Sequence, residues 1–587
     1  MRKKNKSSRP HFGVIIWMIL IIAATYLAVP TVAAPPSPEL LEKLQNAGSS
    51  SSLVAQLPSS ADLHNRDICT PDNFFTNYLN RRQVDAAAAP TAGGFKILAL
   101  LVKFSDHNSA VAPAFFDSLL FDSSGSSTVK HYFNEISNTQ IDLVTVNLPS
   151  SLGWNTAPQT YAYYVNGQNG TGAYPHNSQK LVEDLVDVVN PSVNFANYDN
   201  DGNGFVDCLL VIHSGTGAEV SGNPNDIWSH KWGISPRLVD GVRVSTFTIQ
   251  PEFWNAPGDM TIGVYSHELC HGFGLPDLYD TNTGNGNSTG AGKWCIMAYG
   301  CWNGSPGKQG NFPAHPCAWS RIHMGLATAS VVSSNITART IQPVETGGTI
   351  YRLWTSGAGG NEHFLVENRQ KTGYDSWLPA SGLLIWHIDD GKNDNASAWY
   401  PGLDSTQHYL VALEQADGLY HLEHASNYGD GADPFPGTGN KVTFSTATTP
   451  NSNSYLSGST PVAVTNISTS GSNIIADLIV GLAADVDDDG DVLPTTFTLL
   501  QNYPNPFNPT TVLSFELSAP ANVRLEIFNT LGQKVKLLYT GQAGVGLTQL
   551  FWEGSDDRGE PVSSGVYFYR LVSADGFESS KKMVLVR

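Results

Sequence analysis

SHELCHGFGLPDLYD, residues 266–280, decides how the rest of this 587-residue chain is read. An α-helix advances about 100° per residue, so residues four apart share a face and the imidazoles of His267 and His271 can reach one ion. Glu268, one position past the first ligand, is displaced around the helix to lie beside the metal, where its carboxylate can accept a proton from an attacking water. Gly274 can take a positive φ without a Cβ penalty, which ends the helix sharply and lets the chain double back to present Asp277 as a third ligand. Three protein ligands leave one position for water or a substrate carbonyl, the pattern of a catalytic zinc site with Glu268 as general base. Cys270 lies inside the motif, and at i+3 from His267 it is read as a packing or disulfide residue rather than a ligand.

Twenty residues beyond Asp277, WCIMAYG (294–300) supplies Met297 in a turn. A methionine turn forming an apolar floor beneath the zinc is the companion feature of the metzincin group. Tyr299, two residues later, is read either as a donor to the developing oxyanion or as a core tyrosine.

The chain is too long for one hydrophobic core, and its richness in Gly, Asn, Ser and Thr with little charge favours β-structure and loops. A net charge of -19 without a basic stretch beyond the first residues removes any electrostatic basis for nucleic acid or an anionic membrane as partner. Arg2, Lys3, Lys4, Lys6 and Arg9, the apolar run 13–29 and the small residues Thr31-Val32-Ala33 read as an export signal over 1–33, cut after Ala33. The alternative is a retained anchor, but Pro30 favours removal, leaving no membrane span in the mature form. Residues 34–92, ending in DAAAAPTAGG, read as a propeptide with a cleavable junction, or else as a disordered spacer.

Residues 93–330 mix buried strands (ILALLVKF, VDCLLVIHS) with the amphipathic helix SQKLVEDLVDVV, an α/β catalytic domain. Residues 331–481 change to short alternating segments such as TIYRLW, HFLVENR and GLLIWHID, which predicts a β-sandwich. An acidic linker over 482–494 precedes a second all-β unit of immunoglobulin-like character over 495–587. No internal repeat of fixed period is present.

The sequence resembles the immune-inhibitor-A-type family of secreted bacterial metallopeptidases, whose pattern is HExxHxxGxxD followed by a methionine turn. The likeness runs over about residues 100–480, through NYDNDGNGFVDCLLVIHSGTG, IWSHKW, AHPCAWSRIHMG, LVENRQKTGYD, GLLIWHIDD and DPFPG. It implies a zincin or metzincin-like catalytic fold, proteolysis of extracellular proteins, a zymogen and calcium-stabilised domains. Asp as the third ligand is that family's habit. Residues 495–587, with QNYPNPFNPTTVLSFELS, NTLGQKV, SSGVYFYRL and KKMVLVR, resemble the C-terminal sorting domains of type IX secretion cargo. That implies the type IX machinery as a partner and a protein that is secreted or attached to the cell surface. The protein is expected to act as a monomer on protein and peptide substrates. The rival reading is a surface adhesin that keeps a peptidase-like fold.

Asp199, Asp201, Asn203 and Asp207 occupy the first, third, fifth and ninth positions of an oxygen-rich loop with Gly204 at the sixth, while the twelfth is Leu210 instead of a bidentate Glu. The reading is calcium in a loop unlike an EF-hand, against a solvated Asx-rich turn. Asp389, Asp390, Asp430 and Asp433 are further candidate ligands or ordinary turn residues. Asp485, Asp487, Asp489 and Asp491 read as linker. Six cysteines follow the signal, and Cys69 stands apart from the other five. It is a candidate zymogen switch, a thiolate on the open zinc position; a disulfide explains the same count, and Asp67 or Asp72 could fill the switch role.

Overall fold

The computed structural model describes residues 34–47, 68–69, 94–281, 288–396, 399, 407–455, 458–468, 471–481 and, with short gaps, 497–586. The export signal, most of the predicted propeptide including Asp67 and Asp72, and the acidic linker lie outside these residues.

Residues 34–37 lead into helix α1, Pro38–Ala47. The catalytic region is built on a five-stranded sheet of β1 (Leu98–Lys103), β2 (Trp154–Thr156), β3 (Leu209–Thr216), β4 (His230–Val239) and β5 (Val242–Phe253). The order is β2-β1-β3-β5-β4. The first four of these run parallel, and β4 is antiparallel to β5 at the edge. β1 carries the continuous apolar run of a strand buried on both faces. Helix α2, Ser178–Val189, packs through Leu181, Val182, Leu185, Val186 and Val189, and Asn177 caps it by accepting the Lys180 amide at 3.1 Å.

Helix α3, Gly263–Gly272, bears the metal motif, and all ten of its residues are buried. A Cβ on Gly263 would lie 1.8 Å from the Cys301 carbonyl oxygen, so only glycine lets the helix start this close to the methionine turn.

Beyond α4 (Ala318–His323) the chain becomes β-rich. One sheet contains β6 (Ala329–Val332), β8 (Ile350–Leu353), β9 (Glu362–Arg369), β10 (Gly382–Asp389) and β11 (Val411–Leu413). The other contains β7 (Ile336–Ile341), β12 (Ala463–Thr465) and β13 (Ile474–Ile479). The period-two alternation along β10 divides its side chains. Leu383 and Ile385 join Phe364, Val464 and Leu478 between the two sheets, whereas Leu384, Trp386 and Ile388 face the catalytic core. A separate core built on Leu513, Phe515, Leu525, Ile527, Trp552 and Leu571 fills the C-terminal unit, whose strands form a three-stranded and a four-stranded sheet.

A buried charge network ties the β-rich region to the segment before the methionine turn. Arg369 grips Asp375 with two hydrogen bonds (2.7 and 2.8 Å), lies 3.4 Å from Glu367 and donates to the Trp294 carbonyl at 3.3 Å. Burial opposes the Asp375 charge, yet Arg369 holds its carboxyl down to about 2. Arg369→Met strands the Glu367 and Asp375 carboxylates in a dry interior, so unfolding in guanidinium should show a loss of about 3–5 kcal/mol.

Candidate active site

The two imidazoles on α3 are aimed by backbone carbonyls. His267 Nδ1 lies 2.8 Å from the Ile296 oxygen and His271 Nδ1 lies 2.7 Å from the Leu275 oxygen. A carbonyl can only accept, so each Nδ1 carries the hydrogen and each Nε2 presents its lone pair in the neutral ring. Both Nε2 atoms face Asp277 Oδ1, at 3.2 Å from His267 and 3.4 Å from His271.

The turn that returns Asp277 follows from local geometry. Gly274 takes φ 92°, its amide donates to the His271 carbonyl at 3.1 Å, and the Leu278 amide donates to the Met297 carbonyl at 2.8 Å. The turn around Met297 thus holds the motif through its backbone: the Ile296 carbonyl orients His267 and the Met297 carbonyl fixes Leu278, the neighbour of Asp277.

A cation fits this centre. Ligand atoms of His267, His271 and Asp277 lie within 4.8 Å of one another. His271 Nε2, Asp277 Oδ1 and Glu268 Oε1 are buried without a hydrogen-bond partner among the described residues, a cost that a shared ion removes. Burial pushes the Glu268 carboxyl up to about 8. Burial alone would lower His267, but the Asp277 carboxylate outweighs it and raises that ring to about 9. A metal would displace that proton.

Cys69 sits on this centre. Its thiol is 3.8 Å from Glu268 Oε2, and Cys69, Glu268 and His271 form a second group with ligand atoms within 4.8 Å. The Cys69 amide donates to the Lys231 carbonyl at 2.9 Å and the Lys231 amide donates to its sulfur at 3.3 Å, so it is docked at the start of the edge strand β4. Burial, then the charges of Glu268 and Asp277, push the thiol well above its ordinary range. All six cysteines are free thiols, which departs from the disulfide alternatives for Cys69 and Cys270. Cys270 is fully buried in the main core.

Tyr299 is nearly buried in the turn Tyr299–Trp302, its ring 4.7 Å from that of Tyr428 and 5.8 Å from that of Tyr279. Burial, and then the nearby Asp277 carboxylate, push the Tyr279 hydroxyl well above its ordinary range.

In the acidic loop, Asp199, Asp201 and Asp207 converge within 4.8 Å, and Asp207 Oδ1 is buried without a partner among the described residues. Burial raises the Asp207 carboxyl to about 7. Asn203 adjoins them, its Nδ2 donating to Asp201 Oδ2 at 3.1 Å while its Oδ1 accepts the Phe205 amide at 2.8 Å. Among the remaining acidic candidates, Asp430 gathers with Asp417 and His421 within 4.8 Å. Asp389 pairs with His408, Asp390 accepts the Trp319 indole hydrogen and Asp433 accepts that of Trp294.

Residues 93–327 match the family of immune inhibitor A peptidase M6 catalytic domains, and residues 501–586 match the secretion system C-terminal sorting domain. The pre-pro-metalloprotease PrtV of Vibrio cholerae serotype O1 is 27% identical over 281 residues, 38% of this chain and 29% of that protein. Immune inhibitor A of Bacillus thuringiensis subsp. alesti is 29% identical over 265 residues, 36% of each. The chain thus spans about a third of the length of these curated relatives. A solved structure of PorZ from Porphyromonas gingivalis is 17% identical over 22% of this chain and 15% of that one, at a TM-score of 0.12, too slight a likeness to bear on the fold. The sorting domain marks the chain for secretion or the cell surface, and no helix among the described residues is long and apolar enough to cross a membrane.

Proposed function

We propose that the protein is a secreted zinc endopeptidase that hydrolyses extracellular proteins, a reading supported by the match of residues 93–327 to the immune inhibitor A peptidase M6 catalytic domain and of residues 501–586 to the secretion system C-terminal sorting domain. The observation that carries this reading is the convergence of His267 Nε2, His271 Nε2 and Asp277 Oδ1 beside the Glu268 carboxylate in one buried centre. Zinc held by those three ligands supplies a Lewis acid for the scissile carbonyl and lowers the pKa of the attacking water. Glu268 would take the proton from that water and return it to the departing amine, a role its place beside His267, His271 and Asp277 allows. Tyr299 donates to the developing oxyanion after a change of rotamer. Residues 34–92 keep the precursor latent, with Cys69 as the group that blocks the centre. The catalytic fold is read as metzincin-like, residues 331–481 as a sandwich, the tail as immunoglobulin-like, and the working protein as a monomer delivered by the type IX machinery.

The test is hydrolysis of unfolded casein by the processed protein. It should vanish with 1,10-phenanthroline and return with added zinc; binding to a surface without any cleavage would favour the adhesin reading.

Calcium in the loop of Asp199, Asp201 and Asp207 braces the start of β3. Calcium at about 100 times its Kd should add about 2.7 kcal/mol, raising the thermal midpoint by about 5–10 °C. The shift should disappear in Asp207→Asn, and a midpoint indifferent to calcium in the unsubstituted protein would leave the loop as an Asx-rich turn.

A further inference from the structure

Residues 34–47 are built into the catalytic region as if they belonged to it. Ala34, Leu40 and Leu41 are members of its main core, at 0%, 3% and 5% exposure, and Pro35 and Pro36 are buried between them. Two tryptophans from distant parts of the chain clamp the backbone. The Trp228 indole N–H donates to the Ala34 carbonyl and the Trp302 indole N–H to the Pro35 carbonyl, each at 2.8 Å. The Ala34 amide donates to the Ser229 carbonyl at 3.2 Å and the Ser37 amide to the Glu219 carbonyl at 2.8 Å. Ser37 then caps α1 by accepting the Leu40 amide at 3.1 Å, with Pro38 at the first helical position. Glu39 accepts a hydrogen bond from Gln309.

Consecutive prolines hold the backbone extended before it binds, which lowers the entropy cost of docking. Departure of this segment would exchange the indole hydrogen bonds of Trp228 and Trp302 for water and would open apolar core to solvent. Cys69 meets the same region through Lys231 and Glu268, with its neighbour Ile68 in the main core.

We infer that the groove of Glu219, Trp228, Ser229 and Trp302 is a binding site for residues 34–47 of this chain, and that the segment stays bound noncovalently after the backbone is cut downstream of it. The active enzyme is then a two-chain molecule, and activation removes only the stretch that carries Cys69. This rests on the reading of residues 34–92 as a processed leader for its consequence, but not for its test.

A site-specific protease sequence replaces Ser49–Ser52 in the full chain carrying Glu268→Gln, which stops self-cleavage. After the cut, native gel filtration at micromolar concentration is followed by intact mass measurement of the large peak. The fragment beginning at Ala34 should accompany the large chain one to one. The pair Trp228→Phe and Trp302→Phe should weaken retention at least about tenfold, which corresponds to about 1.4 kcal/mol. Leu40→Asp, which alters only the fragment, should release it, and the large chain left without it should stay folded but melt at a lower temperature. A large chain eluting without the fragment, or a Leu40→Asp fragment retained as well as the unsubstituted one, overturns the inference. Both readouts are masses, so they stand even if the protein cleaves no peptide.

Discussion

Glu268→Gln should reduce kcat for peptide hydrolysis by about 10²–10⁴-fold while the protein keeps its zinc. Glutamine has the shape of glutamate but cannot accept a proton. The three residues that would hold the ion are separate side chains whose orientation depends on the Ile296, Leu275 and Met297 carbonyls, none of which the substitution touches. Glu268 itself is fully buried, so a neutral amide of equal size is tolerated. The loss should therefore fall on kcat, with KM and metal content near those of the parent. Quenched-peptide kinetics alongside metal analysis checks this. A kcat within tenfold of the parent would assign the proton transfer to another group.

Cys69→Ala should turn an uncut, inert precursor into one that hydrolyses peptide. The thiol is held at 3.8 Å from Glu268 Oε2 and grouped with His271, while its amide donates to the Lys231 carbonyl and its sulfur accepts the Lys231 amide at the entrance of the edge strand. A ligand placed there competes with water for the open position. Its removal should raise the activity of the uncut chain at least about tenfold, or about 1.4 kcal/mol of latch free energy. Thermal melting should show the variant folded. If uncut Cys69→Ala stays as inactive as the parent, latency comes from occupation of the cleft by the segment and not from its thiol.

The parts of the site legible beforehand are those that local geometry determines. The four-residue spacing of His267 and His271, the positive φ at Gly274 and the turn at Met297 depend on near neighbours in sequence, so the motif alone locates them. Periodicity would have failed at α3, because a helix buried on every side has no polar face to mark it. Backbone carbonyls were invisible for another reason: every residue has one, so nothing singles out Ile296 or Leu275. The turn that Asn203 closes on Phe205 was not legible, because loop spacing does not show which amide a side-chain oxygen accepts. Cys69 and Lys231 are 162 positions apart, and the clamp on Ala34 spans 194. Contacts of that range are set by tertiary packing, which is why Ala34, Leu40 and Leu41, at the start of the stretch read as a leader, lie in the core. The β-rich half was legible at the level of strands, since alternation along β9 and β10 follows the pleat. That both faces of their sheet are covered was not.

The central claim is that His267, His271 and Asp277 hold a zinc ion beside Glu268. Anomalous diffraction at the zinc edge from the processed protein tests it most directly. The expected result is one strong peak about 2.0–2.2 Å from His267 Nε2, His271 Nε2 and an Asp277 oxygen. A catalytically active crystal with no peak there, or with Asp277 turned away from it, would contradict the account.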